Sequence, residues 1–575
     1  MLEEAKEYSR TAFNQRFTYI GTGKPGGKAS GLAFIKDEID ANFTNNMFGD
    51  IIVDIPQSTV ILTDVFDEFL KANNLYGVAF SERSDEHIAH EFLKAELPTQ
   101  IVGDLMSLIT KTHEPLAIRS SSLLEDALDE PFAGVYETKM IPNNQFDKET
   151  RFKKLTEAIK FVYASTFFKG AKDYCAAIRK DIESEKMAVL IQEVVGYRFG
   201  DRFYPTVSGV ARSYNFYCVG NAKPEDGVIN LALGLGKTIV DGGKVWNYSP
   251  KFPKSPPPYN SIDELLKLSQ TDFWAVNMGK PPAYDPIKET EYLVQCSLQD
   301  AEKDETLSSV CSTYDSSSDR LTMGARTTGP KVVNFSPILV GKNIPLNDLL
   351  QKLLSDSEKH FGAKVEIEFA VALDSLLNNK PTKFGFLQVR PLAVSTQFID
   401  ISEKILQSDD VVIVSDNVMG NGMINEIQEI VFVHPKKFKA NTTRAIAKEV
   451  ETMNNKFLDE RKPYILIGFG RWGSSDDWLG IPVNWSQISA AKVIVESTLP
   501  EMNPDLSQGS HFFHNITNLG VLYFSIGNSF AQRINWEWLL RQQVVEETQF
   551  LRHIHLNTNL RIMADGRSRT GVILQ

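Results

Sequence analysis

The sequence predicts an α+β protein, a large mixed region followed by a smaller α/β domain, and two observations carry that prediction. Between Gly21 and about Thr396, short runs rich in β-branched and aromatic residues (116-LAIRS, 188-AVLIQEVV, 206-TVSGVA, 229-INLALGLG, 365-VEIEFAVAL, 384-FGFLQVRPL) alternate with amphipathic stretches such as 149-ETRFKKLTEAIKFVYASTFF. After Arg390-Pro391 the segment 393-AVSTQFIDISEKILQ reads as a connection, and a second strand-forming set opens at 410-DVVIVSD. That second unit carries 464-YILIGFG, 492-KVIVES and 521-VLYFSI around the helical run 437-KFKANTTRAIAKEVETMNNKFLDE. No fixed period recurs, which excludes a solenoid or propeller. Two stretches interrupt the first region: 250-PKFPKSPPPYN, whose prolines forbid regular structure, and 305-ETLSSVCSTYDSSSDR, which reads as a surface loop or edge.

Bulk properties narrow the function classes. A length of 575 residues allows three or four domains at roughly 150 residues each, so a single small binding module is excluded. Apolar residues at 42% and charged residues at 23% describe an ordinary globular chain. The net charge of −12 argues against general nucleic-acid or anionic-membrane binding, so any anion must be held by a local site. Cys175, Cys218, Cys296 and Cys311 are far apart, without metal-ligand spacing or a disulfide framework, which fits a reducing compartment. The N-terminus MLEEAKEYSRTAFNQRF lacks the apolar core of a signal peptide, and no stretch reaches the roughly 18 apolar residues of a membrane span. A soluble cytoplasmic protein is the expectation.

Chemistry-bearing residues concentrate in three places. On a strand, side chains alternate faces, so Glu366 and Glu368 share one face of 365-VEIEFAVAL while Gln388 and Arg390 share one face of 384-FGFLQVRPL. If the two form a hairpin, paired carboxylates, an amide and a guanidinium converge, a set suited to Mg²⁺ bridging nucleotide phosphates. The competing reading is a solvated antiparallel pair with a cross-strand salt bridge. The second place is 20-IGTGKPGGKASGLAFI, whose glycines allow close backbone approach and whose Lys28 precedes a helical run; its spacing is not that of a P-loop. The third is 117-AIRSSSLLEDALDEPFAGVYET, in which Arg119 ends an apolar strand; Ser122 with Glu125 has the spacing of a capping box.

Taken in order, GGKASGLAFI, AIRSSSLLED…PFAGVYET, VLIQEVV, SGVA, LALGLGKTIVDGG, VEIEFAV and LQVRP resemble the nucleotide-binding domain of phosphoenolpyruvate synthase and pyruvate, phosphate dikinase, over roughly residues 15 to 398. The same domain occurs in glucan water dikinases and rifampicin phosphotransferases. The resemblance implies an ATP-grasp-type domain of two subdomains, at 1–230 and 231–398, followed by a C-terminal α/β domain at 399–575. It implies ATP and Mg²⁺ as cofactors. Lys28 and Arg119 would bind phosphates, and Glu366, Glu368 and Gln388 would hold the metal and nucleotide. Arg390 would sit on the transferring phosphate, Gln192, Glu193 and Val195 would form the adenine-side hinge, and the serines with Gly134 would cover the phosphates.

Departures from the family pattern are specific. Its GLGE stands here as Gly234-Leu235-Gly236-Lys237, and its Asp-Ile-Glu as Glu366-Ile367-Glu368. Its relay histidine, within Gly-Gly-x-x-Ser/Thr-His-Ala-Ala, has no counterpart string. Fewer than 180 residues follow Thr396, short of the roughly 250 of a TIM barrel, so phosphoenolpyruvate synthesis by this chain alone is not expected. In the C-terminal unit, 470-GRWGSSDDWLGIPVNW offers Arg471 as an anion clamp at an acceptor site, or else a tight turn held by Trp472 and Trp478. In 507-SQGSHFFHNIT, His511 and His514 could relay a phosphoryl group or serve as core histidines; His87/His90 and His553/His555 are the other close pairs. Asp476 and Asp477 are further acceptor-base candidates.

The reading is therefore an ATP- and Mg²⁺-dependent phosphotransferase acting on a histidine relay or an unidentified acceptor. The alternative is a catalytically inactive ATP-binding sensor or regulatory subunit.

Overall fold

The computed structural model describes residues 16–575 apart from 44–46, 124, 126–133, 178–179, 217, 219, 258, 260, 374–380, 393, 395–398, 400, 475–478, 499–519, 528–532 and 567. It is a mixed α+β chain in which two sheets frame the candidate site and a third, larger sheet forms the C-terminal domain.

The first sheet has five strands in the order Phe17–Ile20, Ser58–Ile61, Met187–Glu193, Leu116–Ser122, Thr138–Ile141. Its β-branched and apolar strands are almost wholly buried, because helices such as Thr63–Ala72 and Lys148–Ser165 cover it. The second sheet has six strands in the order Trp246–Tyr248, Val228–Ala232, Val207–Arg212, Val365–Ala372, Thr382–Pro391, Ile51–Asp54. Helix Leu346–Phe361 packs Leu346, Leu349, Leu350 and Leu353 against it with the 3–4 spacing of one apolar stripe.

Helix Gly26–Asn42 is wedged between the two sheets, burying Ala29, Leu32, Ile35 and Ile39. Two glycines set that fit. Gly26 has φ +74° and lies against the Ser121 backbone, where no side chain has room. A Cβ on Gly31 would stand 2.8 Å from the Val389 carbonyl oxygen of the second sheet.

The expected subdomain division at 230/231 falls inside the strand Val228–Ala232, which pairs with Val207–Arg212. Val207–Arg212 pairs with Val228–Ala232 on one side and with Val365–Ala372 on the other, while Ile51–Asp54 runs parallel to Thr382–Gly385. Long-range pairing thus carries pieces from before residue 230 into the Glu366 sheet. The serine-rich stretch also departs from a simple loop: Cys311–Asp315 is the middle strand of a three-stranded sheet, and the exposed serines occupy the turn before Arg320–Met323.

The C-terminal domain is a ten-stranded sheet whose middle is parallel: Asn421–Val433, Tyr464–Phe469, Ala491–Ser497 and Leu522–Ile526 lie side by side in chain order. Helix Thr443–Glu460 makes the first crossover. Its core is continuous with that of the first sheet, and helix Lys169–Ala177 packs on the turn Trp485–Ile488. Among the described residues, no helix is long and apolar enough to cross a membrane.

Replacing Gly31 with Ala tests the wedge. Ala normally gains up to about 1 kcal/mol in a helix interior, whereas forcing a methyl against a backbone oxygen costs about 1–3 kcal/mol. Gly31→Ala is therefore expected to lower stability in urea unfolding, and a gain in stability would contradict the close packing.

Candidate functional site

The strands Val365–Ala372 and Thr382–Pro391 are antiparallel neighbours, with Glu366 opposite Arg390 and Glu368 opposite Gln388; a bulge follows, between Glu368 and Phe369. The two glutamates have different partners. Glu366 is 1% exposed, and its carboxylate accepts from Arg390 Nε at 2.7 Å, from a second Arg390 nitrogen, and from the fully buried Arg212 of the neighbouring strand. This arginine–glutamate–arginine ladder fixes the direction of Arg390. A metal role for Glu366 requires both guanidiniums to release it.

Glu368 meets the first sheet instead. Arg119, from Leu116–Ser122, donates to Glu368 Oε2 at 2.9 Å, to Gln388 Oε1 at 2.9 Å and to the Leu387 carbonyl at 3.2 Å. One guanidinium thus spans both sheets, and the carboxylate and amide oxygens expected to hold Mg²⁺ converge on it. Two adjacent oxygen donors fit Mg²⁺, which keeps one or two protein ligands and takes the rest from phosphates and water. Among the described residues no group of three or more His, Cys, Asp or Glu side chains is placed to hold a metal.

Above Arg119 lies a polar platform. Lys28 Nζ donates to Ser120 Oγ at 3.1 Å and pairs with Glu125, whose carboxylate also accepts from Ser120 Oγ and the Ser122 amide, each at 3.0 Å. The Glu125 amide donates back to Ser122 Oγ at 3.1 Å, the reciprocal pattern of a capping box. Ser121 Oγ accepts from the Ala29 amide at 3.1 Å, anchoring the glycine-rich turn. Ser120 and Ser122 thus share Glu125, while Ser121 holds the glycine-rich turn. Nearby, burial pushes the Glu185 carboxyl up to about 7, against donation from Ser122 and with repulsion from Glu125.

Gln192, Glu193 and Val195, expected at the hinge, lie where Met187–Glu193 leaves the first sheet. Gln192 is buried and donates to Ser58 Oγ at 3.3 Å, and Val195 packs on Gly385 of the second sheet. The amides of Glu193 and Val194 donate to the carbonyls of Gln57 and Pro115, so both are committed to backbone. Burial, then the charge of Glu114, holds the Glu193 carboxyl above its ordinary value. Lys237, where the family carries Glu, pairs with Glu289 at 2.9 Å and Asp241 at 3.2 Å.

Arg212 and Glu185 were not singled out from sequence, and Glu125 only as the acid of a capping box. Arg212 carries the same signal as Arg119, an arginine closing an apolar strand, while Glu185 and the pairing of Glu125 with Lys28 are identified only by contacts across the fold. His511, His514, Asp476, Asp477 and Trp478 lie outside the described residues.

Two substitutions probe this electrostatics. Glu366→Ala leaves two buried guanidiniums without their carboxylate and is expected to lose about 3–5 kcal/mol in urea unfolding. For Glu185 the folded value lies above the unfolded one, so its burial costs nothing at low pH and a growing amount as pH rises through about 7. Relative to Glu185→Gln, the natural protein should lose about 3 kcal/mol of stability between pH 4.5 and pH 8. Equal pH dependence of the two proteins would remove this assignment.

Comparison with known proteins agrees with the geometry. Phosphoenolpyruvate synthase from Aeropyrum pernix is 28% identical to this chain over 171 residues, which are 28% of the chain and 18% of that protein's length. The pyruvate phosphate dikinase AMP/ATP-binding domain family matches residues 24–409, a span that contains Lys28, Arg119, the six-stranded sheet with the Glu366 hairpin, and all of the five-stranded sheet except Phe17–Ile20. With about two thirds of its length inside that match, the chain belongs to the pyruvate phosphate dikinase AMP/ATP-binding domain family.

Proposed function

We propose that the chain is an ATP- and Mg²⁺-dependent phosphotransferase whose nucleotide lies between the five-stranded and six-stranded sheets. The observation that carries this reading is Arg119, which reaches from one sheet to Glu368 and Gln388 on the other. In this reading Mg²⁺ is held by the Glu368 carboxylate and the Gln388 amide oxygen, and when bound it neutralises phosphate charge. Arg119 turns from these oxygens to the phosphates, and Lys28 leaves Glu125 for them as well. Arg390, pointed by Glu366 and Arg212, faces the phosphoryl group in transfer. Val195 and the carbonyls beside it bound the base, and Gln192 and Glu193 stiffen that edge from the sheet.

The acceptor is a histidine relay, for which His511 and His514 are the candidates, or a separate molecule. A compartment such as the cytoplasm, with millimolar ATP and reduced thiols, suits the four free cysteines. The replacement of the family's glutamate by Lys237, already paired with Glu289 and Asp241, favours the second reading, an ATP-binding regulator without turnover.

Incubation with labelled ATP and separation of the nucleotides distinguishes the readings. AMP indicates a dikinase-type relay, ADP a simple kinase, and no product despite binding the regulator. Arg119→Ala is expected to weaken Mg-ATP binding by about ten- to a hundredfold, the loss of one to two charge-assisted bonds, and Glu368→Gln to remove its Mg²⁺ dependence. Calorimetry in which both variants bind as the natural protein does would exclude this cleft.

A further inference from the structure

The glycine-rich turn that delivers Lys28 is built against a second helix. The parallel strands Phe17–Ile20 and Ser58–Ile61 end side by side, with Ile20 opposite Ile61. The first runs through the turn into helix Gly26–Asn42, and the second runs directly into helix Thr63–Ala72. The opening turn of that second helix therefore meets the glycine-rich turn. Asp64 accepts from the Thr22 amide at 2.8 Å, the Thr22 hydroxyl at 3.0 Å and the Gly23 amide at 2.8 Å. Thr63 Oγ1 accepts from the Lys24 amide at 3.0 Å, and the Thr63 amide donates back to the Lys24 carbonyl at 3.1 Å. Further along the turn, Ser121 Oγ donates to the Pro25 carbonyl at 2.8 Å and accepts from the Ala29 amide.

Two of the glycines follow from this contact. A Cβ on Gly21 would stand 2.5 Å from Asp64 Oδ1, and one on Gly23 would stand 2.5 Å from the Asp64 amide nitrogen. Gly21 also has φ +105°, which residues with a side chain rarely adopt. Close approach of the neighbouring helix, without any ligand, is therefore enough to require glycine at both positions. The amides of Thr22, Gly23 and Lys24 are consecutive donors of the kind that hold phosphate in an anion nest, and protein oxygens take all three. Asp64 is itself well held, because a carboxylate in the first turn of a helix is favoured by the helix dipole. The turn is thus pinned at three successive residues. Lys28 stands in the first turn of the helix that follows, with Nζ on Ser120 and Glu125.

We propose that Asp64, assisted by Thr63, is a positioning residue of the nucleotide site: it fixes the glycine-rich turn, and through it the start of helix Gly26–Asn42, so that Lys28 reaches the phosphates from beside Ser120. The turn is then a mount for Lys28, and its three pinned amides keep their partners when nucleotide binds. This role rests on the nucleotide reading above, since Lys28 is the group through which Asp64 acts.

The test is a double-mutant cycle on the full chain, read by calorimetry with Mg²⁺ and a non-hydrolysable ATP analogue and by urea unfolding. Lys28→Met is expected to weaken binding by about ten- to a hundredfold, the loss of one charge-assisted bond. Asp64→Asn removes the charge and turns an amide N–H toward backbone donors, and should weaken binding by about three- to tenfold. Gly23→Ala pushes the turn off the same helix and should act in the same sense, so it carries the cycle if Asp64→Asn does not fold. In the Lys28→Met background Asp64→Asn should change affinity by less than about twofold, while its effect on the urea midpoint is the same in both backgrounds. That coupling in affinity alone is what a merely structural role does not produce. Unchanged affinity in both Asp64→Asn and Gly23→Ala, or a loss that adds in full to that of Lys28→Met, overturns the proposal. No nucleotide uptake by the natural protein removes the nucleotide reading and this role with it, whereas uptake that the Asp64 and Gly23 variants leave intact removes the role alone.

Discussion

One guanidinium holds the candidate cleft together. Arg119 leaves the five-stranded sheet and ends on the carboxylate and amide of facing residues in the six-stranded sheet, so two separately built layers share a polar contact. The surrounding structure preserves its aim. Gly26–Asn42 is packed between the layers, Ser121 anchors that helix, and Ser120 and Ser122 hold Glu125 against Lys28. Lys28 stands beside Glu125 and Arg119 beside Glu368, and in the proposed reading both exchange these partners for phosphate oxygens, because charge-assisted bonds between similar partners differ little in energy.

The Glu366 ladder has a different character. Its charges are buried, mutually paired and distant from exchange with solvent, and breaking such a group is far more costly than forming it is favourable. It serves as a rigid mount for Arg390, while in the proposed reading the Glu368 carboxylate and the Gln388 amide, both paired with Arg119, are the groups that change partner. The hairpin therefore divides one row of polar residues into a fixed half and an exchangeable half. The C-terminal domain adds a second polar locus at the edge of the same nucleotide domain, through Arg471 and the Gly242 turn.

What could be read in the sequence follows from the range of each interaction. Alternation along a strand is a local rule, and it correctly placed Glu366 with Glu368 and Gln388 with Arg390 because the bulge comes only after those pairs. The Ser122–Glu125 capping pattern was equally local. The place of Ile51–Asp54 was not legible, since it joins its sheet beside Thr382–Gly385, more than three hundred residues away in sequence. Arg212 and the pairing of Glu125 with Lys28 escaped for the same reason: an arginine or acid after an apolar run does not name its long-range partner until the chain has folded.

The most direct measurement is a structure of the full chain with Mg²⁺ and a non-hydrolysable ATP analogue. The account predicts the nucleotide between the two sheets, Arg119 shifted from Glu368 and Gln388 onto phosphate oxygens, and those two side chains on the metal, with Glu366 still held by Arg212 and Arg390. A nucleotide bound elsewhere, or an Arg119 that keeps both of its present partners with the analogue in place, would contradict it.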